Sequence, residues 1–273
     1  MGAQMSPRVF QVAGVDGCKA GWFVAIASAV EPPVKLGAYY LERFTRLLKL
    51  KSSCVASNFA EVLSRTRQCE LVCVDIPIGL SNDRNQRQCD IAARKILRGP
   101  RASSVFPAPI RACLRSQDYE TASRICLEYT GKKLSKQSFA LLEKIRQVDD
   151  LMTPELQGRL REIHPEISFW ALNDKKPIQA NKKTVSGQAQ RRKLLQSVFA
   201  DMDTLLAQPP RGYVMDDALD ALVAAWTAGQ AVIGKAKTLP DNAQLDQKGL
   251  RMEILYPIEG KNENAKVKIT VEN

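Results

Sequence analysis

The sequence predicts an α/β protein on a mixed sheet, in which an antiparallel meander is followed by parallel strands and a large helical insertion. Three observations predict it. Apolar runs at 9–15, 21–28 and 34–41 follow one another through short connections, as an antiparallel meander requires. A segment with helical spacing, 58–68, then separates them from the apolar run at 71–74, so the fourth strand follows a crossover and lies parallel to the first. Both of those strands run straight into an aspartate, Asp16 and Asp75.

Taken in order, Phe10 to Val15 is apolar and β-branched enough for a buried strand. It ends on Asp16, and Gly17 and Gly21 bracket a turn into the returning run that starts at Trp22. Asp16 is either a turn former, which Asp-Gly does well, or a carboxylate that needs a cation. The third strand, VKLGAYYL, follows the Glu31-Pro32-Pro33 turn. Asn58 can cap a helix whose apolar positions are Phe59, Val62 and Leu63. LVCVDIPIGL must leave the sheet near Asp75, because Pro77 cannot sit in a central ladder. Asp16 and Asp75 then end neighbouring parallel strands, the edge where open α/β sheets bind ligands. Two carboxylates there repel, and a divalent metal is the usual way to keep both ionised.

Residues 83 to about 157 read as a helical, basic insertion. A helix over 82–99 has Asn82 or Asp83 as its cap and Gly99 at its end. RASSVFPAP offers Arg101, Ser103 and Ser104 as donors to an anionic group, or as turn residues. Helices are expected over 118–131 and 134–152, the second with Phe139, Leu142, Ile145 and Val148 as one core stripe. Leu160 and Ile163 suit a short strand, and Pro165 opens a helix. Glu162, His164 and Glu166 alternate, so an extended segment would put them on one face. A basic loop over 174–193 leads into a helix running to about Ala200. In VMDDALDALVAAWTAGQA, Asp216 or Asp217 can cap a helix, while Asp220 lies beyond the capping positions and on the face of Asp217. MEILYPI is a strand in the C-terminal extension, 232–273, so the main domain is read as 8–231.

Composition narrows the function classes. The net charge is +11, and from Arg84 to Lys193 there are 23 Lys/Arg against 11 Asp/Glu, whereas the remainder has 17 against 18. A basic middle suits a polyanion such as nucleic acid, or is simply a solvated surface. Seven scattered cysteines without a C-x-x-C pair, and one histidine, argue against structural zinc and for a reducing cytoplasm. No stretch approaches the length of a membrane span, and no secretory leader is visible.

VAGVDGCKAGW, VDIPIGL, CDIAARKIL with RASSVFPAPIR, EIHPEISF and DDALDALVAAW, in that order, resemble domain-of-unknown-function family 429. Its members are regarded as ribonuclease H-like nucleases. The resemblance covers about residues 10 to 230 and implies a ribonuclease H-like mixed five-stranded sheet. That superfamily places one acid on the first strand, one on the fourth and one or two on a late helix, as Asp16, Asp75, Asp217 and Asp220 stand here. DDALDAL also resembles the late helix of the Holliday-junction resolvases. The implied chemistry is phosphodiester hydrolysis with two Mg²⁺ or Mn²⁺ ions roughly 4 Å apart, held by Asp16, Asp75, and Asp217 or Asp220. Glu162 or His164 would orient water or move a proton, and Arg94, Arg101 and Lys182 would contact phosphate. The insertion departs from the minimal fold, so the substrate class does not carry over. Two alternatives stand beside a nuclease. One is an actin-like nucleotide-binding phosphotransferase, since GVDG followed by Gly21 resembles that group's first phosphate loop. The other is a non-catalytic nucleic-acid-binding protein using the basic middle.

Overall fold

β1 (Val9–Cys18) is the middle strand of the sheet, and Val12 to Asp16 are buried without interruption. The computed structural model describes residues 8–30, 48–82, 84, 86–199, 201–207 and 211–258. β2 (Gly21–Val30) returns antiparallel to β1 with Phe23 opposite Asp16, and β3 (Lys49–Ala56) pairs antiparallel with β2. α1 (Phe59–Arg65) then crosses over; Asn58 caps it by accepting the Glu61 N–H at 3.0 Å. β4 (Leu71–Val74) lies parallel to β1, and β5 (Leu160–Glu162) lies parallel to β4. The order β3-β2-β1-β4-β5 is the mixed five-stranded sheet, antiparallel strands followed by parallel ones, that the sequence predicts.

The strand expected at 34–41 lies outside the described residues. The sheet's third strand is 49–56, whose Lys49, Lys51 and Ser52 are exposed. A charged, half-solvated edge strand blocks pairing with other chains but leaves little apolar alternation to read.

Between β4 and β5 stand α2 (Gln88–Leu97), α3 (Tyr119–Thr130), α4 (Lys136–Ala140) and α5 (Leu142–Leu151). α2 starts at Gln88 rather than after Asn82. The chain before it is already committed: the Leu80 N–H donates to Asp246 and the Ser81 carbonyl accepts from the Arg111 N–H. α3 keeps its expected bounds, with Asp118 accepting the Thr121 N–H and Gly131 closing it at φ 75°. The stripe read over 134–152 is split at Leu141 into two helices; Leu142, Ile145 and Val148 are buried in the second. α6 (Pro165–Leu172), α7 (Val185–Leu195), α8 (Met202–Leu206) and α9 (Met215–Val232) follow. The chain then forms β6 (Ala236–Leu245) and β7 (Arg251–Pro257), an antiparallel pair. β7 sends Met252 and Ile254 against Cys89, Ala93 and Leu97 of α2.

Strand alternation divides the core. Phe10, Val12, Leu71 and Cys73 face α9, meeting Leu219, Leu222, Val223 and Trp226. Ala13, Val15, Val72 and Val74 face Phe59, Val62, Ile145 and Val148 on the other side. Each of these larger side chains contributes roughly 1.5–3 kcal/mol when fully buried. α9 is buried nearly all round, as an internal helix must be, and its alanines bring it onto β1. Contact is closest at Gly14, where a Cβ would stand 1.9 Å from the Ala221 carbonyl oxygen and 2.2 Å from the Ala225 nitrogen. Among the described residues, no helix is long and apolar enough to cross a membrane. All seven cysteines are free, and six are buried.

Candidate functional site

The pairing of β1 with β4 sets the site. Val15 and Val74 are register partners, so the next residues, Asp16 and Asp75, end adjacent strands side by side. The Asp75 N–H donates to the Val15 carbonyl at 3.0 Å, which extends the ladder to the acid itself. Alternation puts Asp16 on the face of Val12 and Gly14, and Asp75 on the face of Leu71 and Cys73. That is the face covered by α9, whose first turns carry Asp217 and Asp220. The missing side chain at Gly14 therefore lets the helix bring Asp220 down to Asp16.

These acids line one cleft of about 520 Å³, together with His164, Glu166, Lys144, Lys182, Lys183, Arg101, Ser103 and Ser104. Lys182 is the nearest cation: its Nζ donates to Asp220 Oδ2 at 2.6 Å. Burial opposes the charge on Lys182, but Asp220, Asp16 and Asp75 outweigh it and hold the ammonium more firmly protonated than usual. Burial drives the Asp16 carboxyl well above its ordinary range, and Asp75 and Asp220 add to the shift against Lys182. Asp75 is likewise raised by burial, against the pull of His164 and Lys182. Burial pushes Asp220 up to about 7, with Asp75 adding and Lys182 opposing. Asp217 is raised by burial too, although it accepts the Val214 N–H at 3.0 Å and so closes the first turn of α9. Asp217 thus bonds back to the helix start, where Val214 holds the cap position.

The loop carrying Lys182 is clamped. Thr184 Oγ1 accepts the Gly187 N–H at 3.1 Å, and a Cβ at Gly187 would stand 1.9 Å from the Asn181 carbonyl oxygen. Arg191, fully buried, donates to Glu166 at 2.6 Å and to the Ala180 carbonyl at 3.2 Å. It ties the loop before Lys182 to the first turn of α6. Lys144 enters from α5; its Nζ donates to the Gly21 carbonyl at 2.6 Å and lies 4.8 Å from the Trp22 ring. Arg87, Lys144 and Arg191 are the supporting cations that sequence reasoning missed. Each sits in a basic stretch whose composition does not tell a buried cation from a solvated one.

The segment 162–166 does not act as one face. Glu162 pairs in register with Val74, so it points to the opposite side of the sheet from Asp75. Its carboxylate accepts from the Arg87 guanidinium and from the Ile78 N–H at 2.7 Å. Burial raises the Glu162 carboxyl against the pull of Arg87, and these two donors mark the ionised form as the one the fold accommodates. His164 is the cap of α6, with Nδ1 accepting the Glu166 N–H at 3.2 Å and Nε2 3.4 Å from the Ser104 carbonyl. Arg101 stays at the cleft: one amino group donates to the Gln179 carbonyl at 2.5 Å, another lies 4.0 Å from Glu166, and its buried Nε has no hydrogen-bond partner among the described residues. Ser103 is exposed at the rim, and Ser104 donates to the Arg101 carbonyl at 2.7 Å. Arg94 is drawn away, its Nε donating to the Val105 carbonyl at 2.5 Å.

One trio of donors stands at metal-binding separation, and the cleft acids form a second, wider set. Among the described residues, Cys89, Asp90 and Glu162 bring their ligand atoms within 4.8 Å of one another, as a divalent ion requires. Arg87 already answers that trio: one amino group pairs with Glu162, another lies 3.5 Å from Asp90. In the cleft, Glu166 is answered by Arg191, which leaves Asp16, Asp75, Asp217 and Asp220 on a wall shared with Lys144, Lys182, Lys183 and Arg101. An all-oxygen donor set is the kind a hard divalent cation takes.

The chain is similar to a solved structure of RuvC from Thermus thermophilus, at 14% identity over 82% of this chain and 97% of that one, with a TM-score of 0.31. No curated protein matches it in sequence. A family profile described as "Protein of unknown function (DUF429)" matches residues 14–245, so the chain belongs to that family.

Proposed function

We propose that the protein is a divalent-metal-dependent nuclease that hydrolyses phosphodiester bonds at the cleft between β1, β4 and α9. One observation carries the reading: Asp16 and Asp75 end neighbouring parallel strands, with Asp220 of α9 brought onto them at Gly14. Asp16, Asp75 and Asp220 would hold Mg²⁺ or Mn²⁺, with Asp217 at the rim. A bound ion of this kind supplies Lewis-acid charge at a phosphoryl oxygen and an ionised water at neutral pH.

The chain's own groups account for the rest. Arg101, Ser103 and Lys183 lie on the cleft wall as donors for a non-bridging phosphate oxygen. His164 stands between the Ser104 carbonyl and the start of α6, where an imidazole nitrogen can exchange a carbonyl partner for water. Lys182 keeps the acids from repelling one another while the ion site is being filled. The basic excess of residues 84–193 favours nucleic acid over a small phosphoester as substrate.

The test is Mn²⁺-dependent cleavage of single- and double-stranded DNA and RNA by the full chain and by Asp16→Asn and Asp75→Asn. Loss of at least about a hundredfold in both variants, with melting in EDTA no lower than that of the wild type, is the expected result. Equal cleavage by all three proteins would remove the assignment.

A further inference from the structure

The insertion between β4 and β5 encloses a second cavity, of about 260 Å³, outside the acidic cleft. Arg87, Asp90, Ile91 and Arg94 recur at helical spacing and give it one wall. The end of α3 and the loop after it, with Cys126, Thr130, Lys132, Lys133 and Leu134, give the other. Its charge is one-sided: Arg84, Arg87, Arg94, Lys132 and Lys133 line it, and Asp90 is the one acid among the described lining residues.

Asp90 does not neutralise that excess for an incoming ligand. Its Oδ1 lies 3.5 Å from Arg87, and its Oδ2 accepts the Ala108 N–H at 3.3 Å. Arg84, Lys132 and Lys133 are exposed and have no ion-pair partner among the described residues. Arg87 is 3% exposed, and its Nε and one amino group have no hydrogen-bond partner among the described residues. Its charge is met by Glu162 and Asp90, so Arg87 offers a ligand two spare N–H donors rather than an unanswered cation. Between the cations, Ile91, Ala108, Ile110 and Leu134 make an apolar floor.

A cationic rim over an apolar floor recognises an anion with a flat, poorly solvated body. At about 260 Å³ the cavity takes one nucleotide-sized group. We propose that this cavity is a binding site for a free mononucleotide, with the phosphate held by Lys132, Lys133 and Arg84 and the base laid on Ile91, Ile110 and Leu134. The site is independent of hydrolysis in the cleft, although Asp90 lines both cavities and makes them neighbours.

The test is calorimetric titration of the full chain in EDTA with adenosine monophosphate and, separately, with inorganic phosphate. The expected result is binding of the nucleotide, weakened at least about tenfold in the double variant Lys132→Glu/Lys133→Glu and unchanged in Asp16→Asn. Both lysines are exposed, so equal melting temperatures will show that the double variant is folded. Inorganic phosphate should bind at least about tenfold more weakly than the nucleotide, because it leaves the apolar floor empty. No nucleotide binding at millimolar concentration, equal binding by the double variant, or loss of binding in Asp16→Asn would each overturn the site. Phosphate binding as tightly as the nucleotide would overturn the role of the floor. A 5′-phosphorylated oligonucleotide that displaces the nucleotide as well as the free nucleotide does would overturn the assignment to a free ligand.

Discussion

Lys182 Nζ lies 2.6 Å from Asp220 Oδ2, so the cation closest to the strand-end acids belongs to the protein itself. A lysine in this position both stabilises the acids and competes with any other cation for them.

Replacing it separates those two effects. Lys182→Ala is expected to cost about 2 kcal/mol in EDTA, less than a fully dry pair because the lysine is partly solvated. The same change frees Asp220 for a metal. The rise in melting temperature caused by Mn²⁺ should therefore be larger in Lys182→Ala than in the wild type. An equal rise in the two proteins would show that the lysine and the ion do not share the site.

The acids also make stability depend on pH. Asp220 in the folded protein titrates at about 7, above the roughly 3.9 of an unfolded aspartate. The folded protein therefore holds an extra proton between those values. Its contribution to stability is fully present below about pH 4 and is lost as pH rises through about 7. Asp16 and Asp75 are shifted in the same direction. In EDTA, melting temperature should fall between pH 5 and pH 8, and saturating Mn²⁺ should flatten the fall. A flat profile in EDTA would contradict the burial of these carboxyls.

Gly14 is where the helix meets the sheet. Gly14→Ala would place a methyl group 1.9 Å from the Ala221 oxygen, and backbone on both sides must move to admit it. A loss of about 3 kcal/mol or more in urea unfolding is expected. Mn²⁺ binding should weaken even under conditions where the variant is folded, because Asp220 moves away from Asp16 with the helix.

Arg101 has a buried Nε with no acceptor among the described residues, on the wall of the cleft. Arg101→Ala should weaken oligonucleotide binding by about tenfold and reduce the slope of log affinity against log salt by about 1, read by fluorescence anisotropy. An unchanged slope would mean that Arg101 does not reach a phosphate.

Much of this was legible in the sequence, and the reasons are particular. β1 and β4 could be read because each is a continuous apolar run buried on both faces, ending abruptly on an acid. Asn58 marked a helix start because capping chemistry is local, and the helix read over 118–131 has Asp118 and Gly131 as its observed caps. β3 escaped because an edge strand with serines and lysines resembles a loop, and β6, carrying Pro240 and Asp241, did so for the same reason. The pairing of Glu162 with Arg87 depends on the parity of β5 against β4, a register that no single-chain pattern contains. Lys182 was visible as a basic residue. Its contact with Asp220 was not, since a clamp of Arg191, Thr184 and Gly187 sets where the loop goes.

The clamp on the Lys182 loop also decides where the chain can be cut. The sheet is complete in pairing terms at Glu162, so a fragment ending between 163 and 181 contains every described strand of it. Such a fragment would hold Asp16 and Asp75 with neither Lys182 nor the cover of α9, leaving both carboxylates to face each other in open solvent. The smallest autonomous piece therefore extends past 215–232, and limited proteolysis that removes α9 should release a sheet that does not stay folded.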